Sequence, residues 1–229
     1  MAVYAIADLH LSLGTDKPMD VFQGWEDYLT RLETNWRRLI EPTDTVVIPG
    51  DVSWAMSLAN AEADFAFIES LPGRKLILKG NHDYWWCTRR KMEAFLAEKG
   101  FHSIAIVHND AVAVEGDYAV CGTRGWFFDA EEDADKKVLL REVGRLHASL
   151  DAAEKMGKKP LVFLHYPPVA GGVECPEIME ALRERQIDTC YYGHIHGPGI
   201  RVAVDGEYGG IRFRLISADA LRFCPLKIV

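Results

Sequence analysis

Five short polar clusters carry side chains able to hold metal ions. Asp8-Leu9-His10 sets two ligand-competent groups at i and i+2, which project to one side of an extended chain while Leu9 faces the other way. One cation can be gripped by both. Gly50-Asp51 and Gly80-Asn81-His82-Asp83 each place a glycine before oxygen or nitrogen donors, and glycine permits the tight turn that points the next side chain inward. His165 follows the apolar run Leu161 to Leu164 and precedes Tyr166-Pro167-Pro168. Gly193-His194-Ile195-His196-Gly197 repeats the i, i+2 geometry with two imidazoles, a spacing that converges both rings on one ion.

Taken singly, most of these clusters have an ordinary explanation. An aspartate in D-x-H can cap a loop, Gly-Asp is common in turns, and a lone histidine after a strand is more often a satisfied core residue than a ligand. Gly-Asn-His-Asp has no evident packing purpose. Together, the clusters take up five of the eight histidines, while His102, His108 and His147 lie elsewhere. The donor set Asp8, His10, Asp51, Asn81, His165, His194 and His196 exceeds what one four-coordinate metal needs and suits two metals sharing a carboxylate.

Strands must deliver these clusters. Apolar, β-branched runs at Val3 to Ala7, Thr45 to Pro49, Lys75 to Leu78, Pro160 to Leu164 and Thr189 to Tyr192 have the length of buried strands, and each ends where a cluster begins. The carboxyl ends of strands in open α/β sheets are where ligands bind. Helices are expected between the early strands. From Gly24 to Ile40, the residues Trp25, Tyr28, Leu29, Leu32, Trp36 and Leu39 share one helical face, and Ala59 to Leu71 and Thr88 to Lys99 read as two more helices, the latter capped by Gly100. This alternation predicts an α/β fold with a mostly parallel sheet.

The middle reads as hairpins, Ile104 to Val107, Ala111 to Val114 and Tyr118 to Gly122, turning at Asn109-Asp110 and Glu115-Gly116-Asp117. The acidic stretch Asp129 to Asp135 is expected to open a long helix running to about Met156 as a solvated face. Arg201 to Val204, Tyr208 to Ser217 and Leu221 to Ile228 read as strands of a second, more antiparallel sheet, with Pro225 confining the last to an edge. No repeat or linker divides the chain, so residues 1–229 are expected to form one domain.

Composition sets outer bounds. The chain has 229 residues, 48% hydrophobic and 26% charged, which fits a folded globular protein and excludes a disordered or collagen-like one. Its net charge of −8 repels nucleic acid and anionic lipid unless a local patch reverses it. Five scattered cysteines, Cys87, Cys121, Cys175, Cys190 and Cys224, form no C-x-x-C pair and suit free thiols in a reducing compartment, so a cytoplasmic location is expected. Asp8 interrupts the first apolar stretch, and no run approaches the roughly 18 apolar residues of a membrane span.

The ordered pattern D-x-H, G-D, G-N-H-D, H and G-H-x-H resembles the calcineurin-like metallophosphoesterases, and the resemblance runs from Asp8 to His196. It implies a four-layer αββα sandwich of two mixed β-sheets flanked by helices. By that resemblance Asp8, His10 and His196 hold one divalent metal, Asn81, His165 and His194 the other, and Asp51 bridges them. His82 acts on the leaving group and Asp83 orients it. The implied chemistry is direct attack on phosphorus by a hydroxide between two metals, manganese being favoured over iron or zinc for a donor set without thiolate. Trp54 stands where the purple acid phosphatase branch would offer a tyrosine ligand. The expected substrate is a phosphomonoester or phosphodiester of a small metabolite or nucleotide. A cyclic-nucleotide phosphodiesterase, a nuclease, or a scaffold that has kept only the shape are the alternatives. Trp85 and Trp86 are candidates to stack on substrate, and Arg89, Arg90 and Arg124 to clamp phosphate, against their ordinary readings as core aromatics and solvated cations. Oligomeric state is not legible.

Overall fold

Aliphatic and β-branched runs become strands wherever both of their faces can be buried. In the computed structural model, which describes residues 1–126 and 133–229, the first half runs β1 (Val3–Ala5), α1 (Tyr28–Leu39), β2 (Thr45–Pro49), α2 (Glu62–Ser70), β3 (Arg74–Leu78), α3 (Arg89–Lys99) and β4 (Ile104–Ile106). It continues with β5 (Val112–Ala113), β6 (Tyr118–Thr123), α4 (Asp133–Lys155), β7 (Lys159–Leu164), β8 (Val169–Ala170), β9 (Val173–Glu174), α5 (Pro176–Glu184) and β10 (Thr189–Tyr192). A 3₁₀ helix (Gly197–Val202) then precedes β11 (Gly206–Tyr208), β12 (Ile211–Leu215) and β13 (Leu226–Lys227).

These strands form a five-stranded sheet in the order β13-β1-β2-β3-β4 and a six-stranded sheet in the order β11-β12-β10-β7-β6-β5. Side chains alternate between two apolar layers along each central strand. Val47 and Leu76 meet Val120, Leu161 and Phe163 between the sheets. Val46 and Ile48 turn outward onto Leu32 and Trp36 of α1 and Phe65 of α2, and Val162 and Leu164 turn outward onto Leu146 of α4 and Ile178 of α5. Three apolar layers separate four structural ones, helix, sheet, sheet, helix, as the family resemblance implied.

Several expectations need correction. The turn at Asn109-Asp110 is no hairpin: β4 lies in the first sheet and β5 in the second, so the chain crosses between sheets there. The second sheet is antiparallel only at its edges, since β12, β10, β7 and β6 run parallel. Of the expected strand Arg201 to Val204, Arg201 and Val202 end the 3₁₀ helix, whose first turn Pro198 favours, and Ala203 makes an isolated antiparallel bridge to Ala170. The last strand is an edge strand, as Pro225 requires, but it pairs with β1 in the first sheet. Helix α5 was not anticipated. Helix α4 ends close to the expected point, while the first part of the expected helix, residues 129–132, lies outside the described residues.

One junction matters for the site. Just beyond β1 and β12, Ala7 N–H donates to the Ile216 carbonyl at 2.8 Å and Ala218 N–H to the Ala7 carbonyl at 2.9 Å. The two sheets are therefore joined immediately beside Asp8.

Candidate metal centre

The carboxyl ends of five parallel strands converge on one pocket. Asp8 and His10 follow β1, Asp51 follows β2, Asn81 follows β3, His165 follows β7, and His194 and His196 follow β10. Asp8, His10, Asp51 and His194 all have positive φ, between 45° and 70°. This region is costly for a side chain with a Cβ and persists where the surroundings over-determine it. The glycines explain the close approach. A Cβ on Gly80 would sit 2.2 Å from the Asp51 amide nitrogen, and one on Gly50, itself at φ 99°, would sit 2.6 Å from the Gly80 Cα. These two loops can pack backbone to backbone only without side chains.

Two triads result. Ligand atoms of Asp8, His10 and His196 lie within 4.8 Å of one another, as do those of Asp51, His165 and His194. Asp51 Oδ2 stands between them, 3.8 Å from His10 Nε2 and 3.5 Å from His165 Nε2. Its other oxygen accepts the His82 amide at 2.8 Å. Asn81 Oδ1 reaches within 2.6 Å of His165 Nε2. Both rings are supported from behind: His165 Nδ1 points at the Pro49 carbonyl at 3.3 Å, and His196 Nδ1 at Asp219 Oδ1 at 3.0 Å. A proton held at Nδ1 by these acceptors would leave each Nε2 free to coordinate a cation.

Burial and mutual repulsion set the electrostatics. Burial lowers His10 to about 3 and, with help from His165, His194 to about 4, and it also depresses His165 and His82. Burial and the neighbouring Asp8 carboxylate raise Asp51 to about 8. Burial works to raise Asp8, but His196 holds it below the ordinary carboxylate range. Burial likewise opposes the His196 cation, which Asp8 and Asp219 nonetheless carry up to about 10. Asp8 Oδ1 is buried without a hydrogen-bond partner among the described residues, while its Oδ2 accepts the His194 amide at 2.9 Å. The imidazoles of His10, His165 and His194 kept neutral by burial, the Asp8 acceptor with no donor and the raised Asp51 carboxyl are groups that cations at the centre would satisfy. Nitrogen and oxygen donors without thiolate fit divalent cations.

A family model described as calcineurin-like phosphoesterase matches residues 1–198. The chain belongs to that family. Among solved structures, the calcineurin-like fold seen here resembles a protein of unknown function, AQ665, from Aquifex aeolicus, with a TM-score of 0.55 and 18% identity, covering 99% of this chain and 95% of that one. It also resembles phosphopantetheinyl hydrolase from Mycobacterium tuberculosis (TM-score 0.54, 14% identity, 100% and 95% covered). The protein TT1561 of Thermus thermophilus is similar over 85% of this chain and 81% of its own (TM-score 0.54, 14% identity). These likenesses show the fold. A comparison with curated proteins finds no significant match.

In this calcineurin-like phosphoesterase the acidic residue after His82 is placed differently from the expectation. Asp83 is buried, and its Oδ2 accepts the amides of Gly80 at 2.7 Å and Asp51 at 2.9 Å. Its Oδ1 accepts the Val52 amide at 2.9 Å and the Trp85 indole N–H at 3.0 Å. Burial and Asp51 push it up to about 7, against the pull of these donors. Asp83 thus clamps the β2 and β3 loops, and the ring nitrogen Nδ1 of His82 faces the Tyr84 hydroxyl at 3.3 Å instead.

The candidate substrate contacts divide. Trp85 is 2% exposed and packs edge-on against Phe65 of α2, so it belongs to the core. Arg89 pairs with Glu93 at 2.6 Å and with Asp110 on the surface, which leaves it no free guanidinium for phosphate. Arg124 lies 3.6 Å from the Glu142 carboxylate and over Tyr166, whose ring packs on His194 with 4.5 Å between centroids. It stands one ring removed from the centre.

Other residues also adjoin the centre, and of these the sequence had pointed only to Trp54. Trp54 stacks on the His10 imidazole at 4.8 Å and 21°. Trp25 packs edge-on against His196 at 5.8 Å. Asp219 supports His196 and also accepts the Gly197 amide at 2.8 Å. A cleft of about 670 Å³ opens against His10, His82 and His196, with Met19, Phe22 and Arg201 along its walls.

Proposed function

We propose that this chain is a binuclear metal-dependent phosphoric ester hydrolase acting on a small phosphorylated metabolite or nucleotide. The observation that carries the reading is the pair of buried triads with Asp51 Oδ2 set between His10 Nε2 and His165 Nε2. Asp8, His10 and His196 would hold one cation and Asn81, His165 and His194 the other, with Asp51 shared. Divalent cations held there supply Lewis acidity, drawing charge from phosphoryl oxygens and making water nucleophilic near neutral pH. Manganese is the favoured pair, iron and zinc being compatible with the same donors.

The chain's own groups supply the rest. Asp219 would hold a proton on His196 Nδ1 and the Pro49 carbonyl one on His165 Nδ1, which would leave both Nε2 atoms for the cations. Asp51 is held by the His82 amide through its other oxygen, which fixes the carboxylate between the triads. His82 lies on the wall of the cleft, half buried, with Nδ1 toward Tyr84; the negative charge of a bound phosphate would offset the burial that depresses its pKa, and its Nε2 would then donate a proton to a departing alkoxide. The described cysteines are all unpaired, which supports a reducing, cytoplasmic setting. No helix among the described residues is long and apolar enough to cross a membrane.

The test is hydrolysis of p-nitrophenyl phosphate and its bis ester by chain reconstituted with manganese, zinc or iron. Metal-dependent turnover of either ester is expected. Inactivity towards both with two metals bound would favour a scaffold.

A further inference from the structure

We infer that the leaving group of the natural ester is an extended apolar moiety carrying a second negative charge, seated in the cleft beside His82. The inference rests on the hydrolase reading and adds the substrate class. Continuity is the first argument. The cleft shares His10, His82 and His196 with the metal centre. In hydrolysis an oxygen of water bonds to phosphorus, the bond from phosphorus to the leaving oxygen breaks, and a proton from His82 Nε2 completes the departing alcohol. The carbon attached to that oxygen must therefore lie on the His82 side, inside the cleft.

The walls specify what that carbon belongs to. Met19 and Trp25 form the floor at 8% and 3% exposure, Trp54 forms a side, and Phe22 remains 55% exposed at the rim beside Val21 at 72%. An aromatic ring left in water next to a cleft of about 670 Å³ gains apolar contact when the cleft fills, and this volume is in the range of organic-ligand sites, far beyond a methyl or ethyl group. Glycerol-like or inorganic leaving groups would leave those walls wet.

Charge gives the last part. No carboxylate lines the cleft among the described residues, whereas the exposed Arg201 lines it and Lys17 Nζ lies 4.4 Å from the Trp54 ring centroid. Neither cation has a carboxylate partner among the described residues. An exposed guanidinium on the wall of an apolar cleft suits a carboxylate or phosphate carried by the leaving group.

Three alkyl esters of nearly equal leaving-group acidity separate these statements: ethyl, octyl and 7-carboxyheptyl phosphate, each also supplied as its methyl diester. With manganese-loaded enzyme, kcat/KM should rise at least about 30-fold from ethyl to octyl, the equivalent of burying two or three of the six added methylenes, and about five-fold more with the terminal carboxylate. Phe22→Ala should collapse the octyl-to-ethyl ratio, and Arg201→Ala the carboxylate advantage. Equal kcat/KM for all three esters, or preference for an aminoalkyl terminus, overturns the inference while leaving the hydrolase standing. Failure to cleave any ester, p-nitrophenyl phosphate included, overturns the hydrolase reading and this inference with it.

Discussion

Asp83 offers the sharpest contrast between what the motif implies and what the packing shows. If its carboxylate held the His82 ring, Asp83→Asn would alter turnover and leave folding almost untouched. In the structure that carboxylate instead receives two short donors on each oxygen, Gly80 and Asp51 amides on one and the Val52 amide and Trp85 indole on the other. Replacing either oxygen by an amide NH₂ points a donor at two buried donors. Leaving a buried donor unpaired costs about 1–3 kcal/mol, so the loss should reach about 2–6 kcal/mol. That is a large share of a total stability of about 5–15 kcal/mol. The assay is urea unfolding of metal-free protein followed by tryptophan fluorescence, where the midpoint should fall steeply with the slope unchanged. A midpoint shift equivalent to less than about 0.5 kcal/mol, with the defect confined to kcat, would refute the clamp.

Three further outcomes follow from the same geometry. His82→Ala should keep two metals per chain yet lower kcat on an alkyl ester by about 10²–10⁴-fold, with a smaller loss on p-nitrophenyl phosphate, whose leaving group needs no proton; near-native alkyl ester turnover would exclude the role. Asp219→Ala should weaken metal affinity at the Asp8, His10 and His196 triad by about 10–100-fold, measured by competition with a chelating dye, and unchanged affinity would remove Asp219 from the support of His196. Lys75 is buried with Nζ donating to the Leu71 carbonyl, and burial lowers its pKa to about 8. Between that value and the ordinary lysine range the unfolded chain binds more protons, so this residue makes stability rise with pH, by about 1–3 kcal/mol across the window. The difference in unfolding free energy between the native chain and Lys75→Met, measured from pH 7 to 10.5, should show that slope; a flat difference would contradict it.

The candidate ligands were legible because each sits where a buried strand ends, and a polar group in that position has few packing explanations. Thr45 to Pro49 and Thr189 to Tyr192 match their observed strands residue for residue. What escaped depends on contacts between distant segments. Nothing local marks Asp219, whose importance comes from the return of the chain after β12 to the back of His196. The aromatic run after His82 gave no sign of which ring turns inward, and Phe65, contributed by α2, decides that Trp85 does. Trp25 reads as one more apolar position of a helix, yet it precedes α1 and reaches His196. Arg89 was the avoidable case, for Glu93 stands four residues on along the same helix, a spacing that predicts the ion pair. The crossing between sheets after β4 was hidden because a turn of Asn and Asp reads alike whether the next strand pairs or departs.

The central claim is that two cations share the Asp51 carboxylate between the triads. Manganese titration followed by electron paramagnetic resonance addresses it directly, since ions bridged by one carboxylate couple magnetically. The account predicts two manganese ions per chain with an exchange-coupled spectrum, which Asp51→Asn converts to isolated-ion signals. A single bound ion, or two with independent spectra in the native chain, would contradict it.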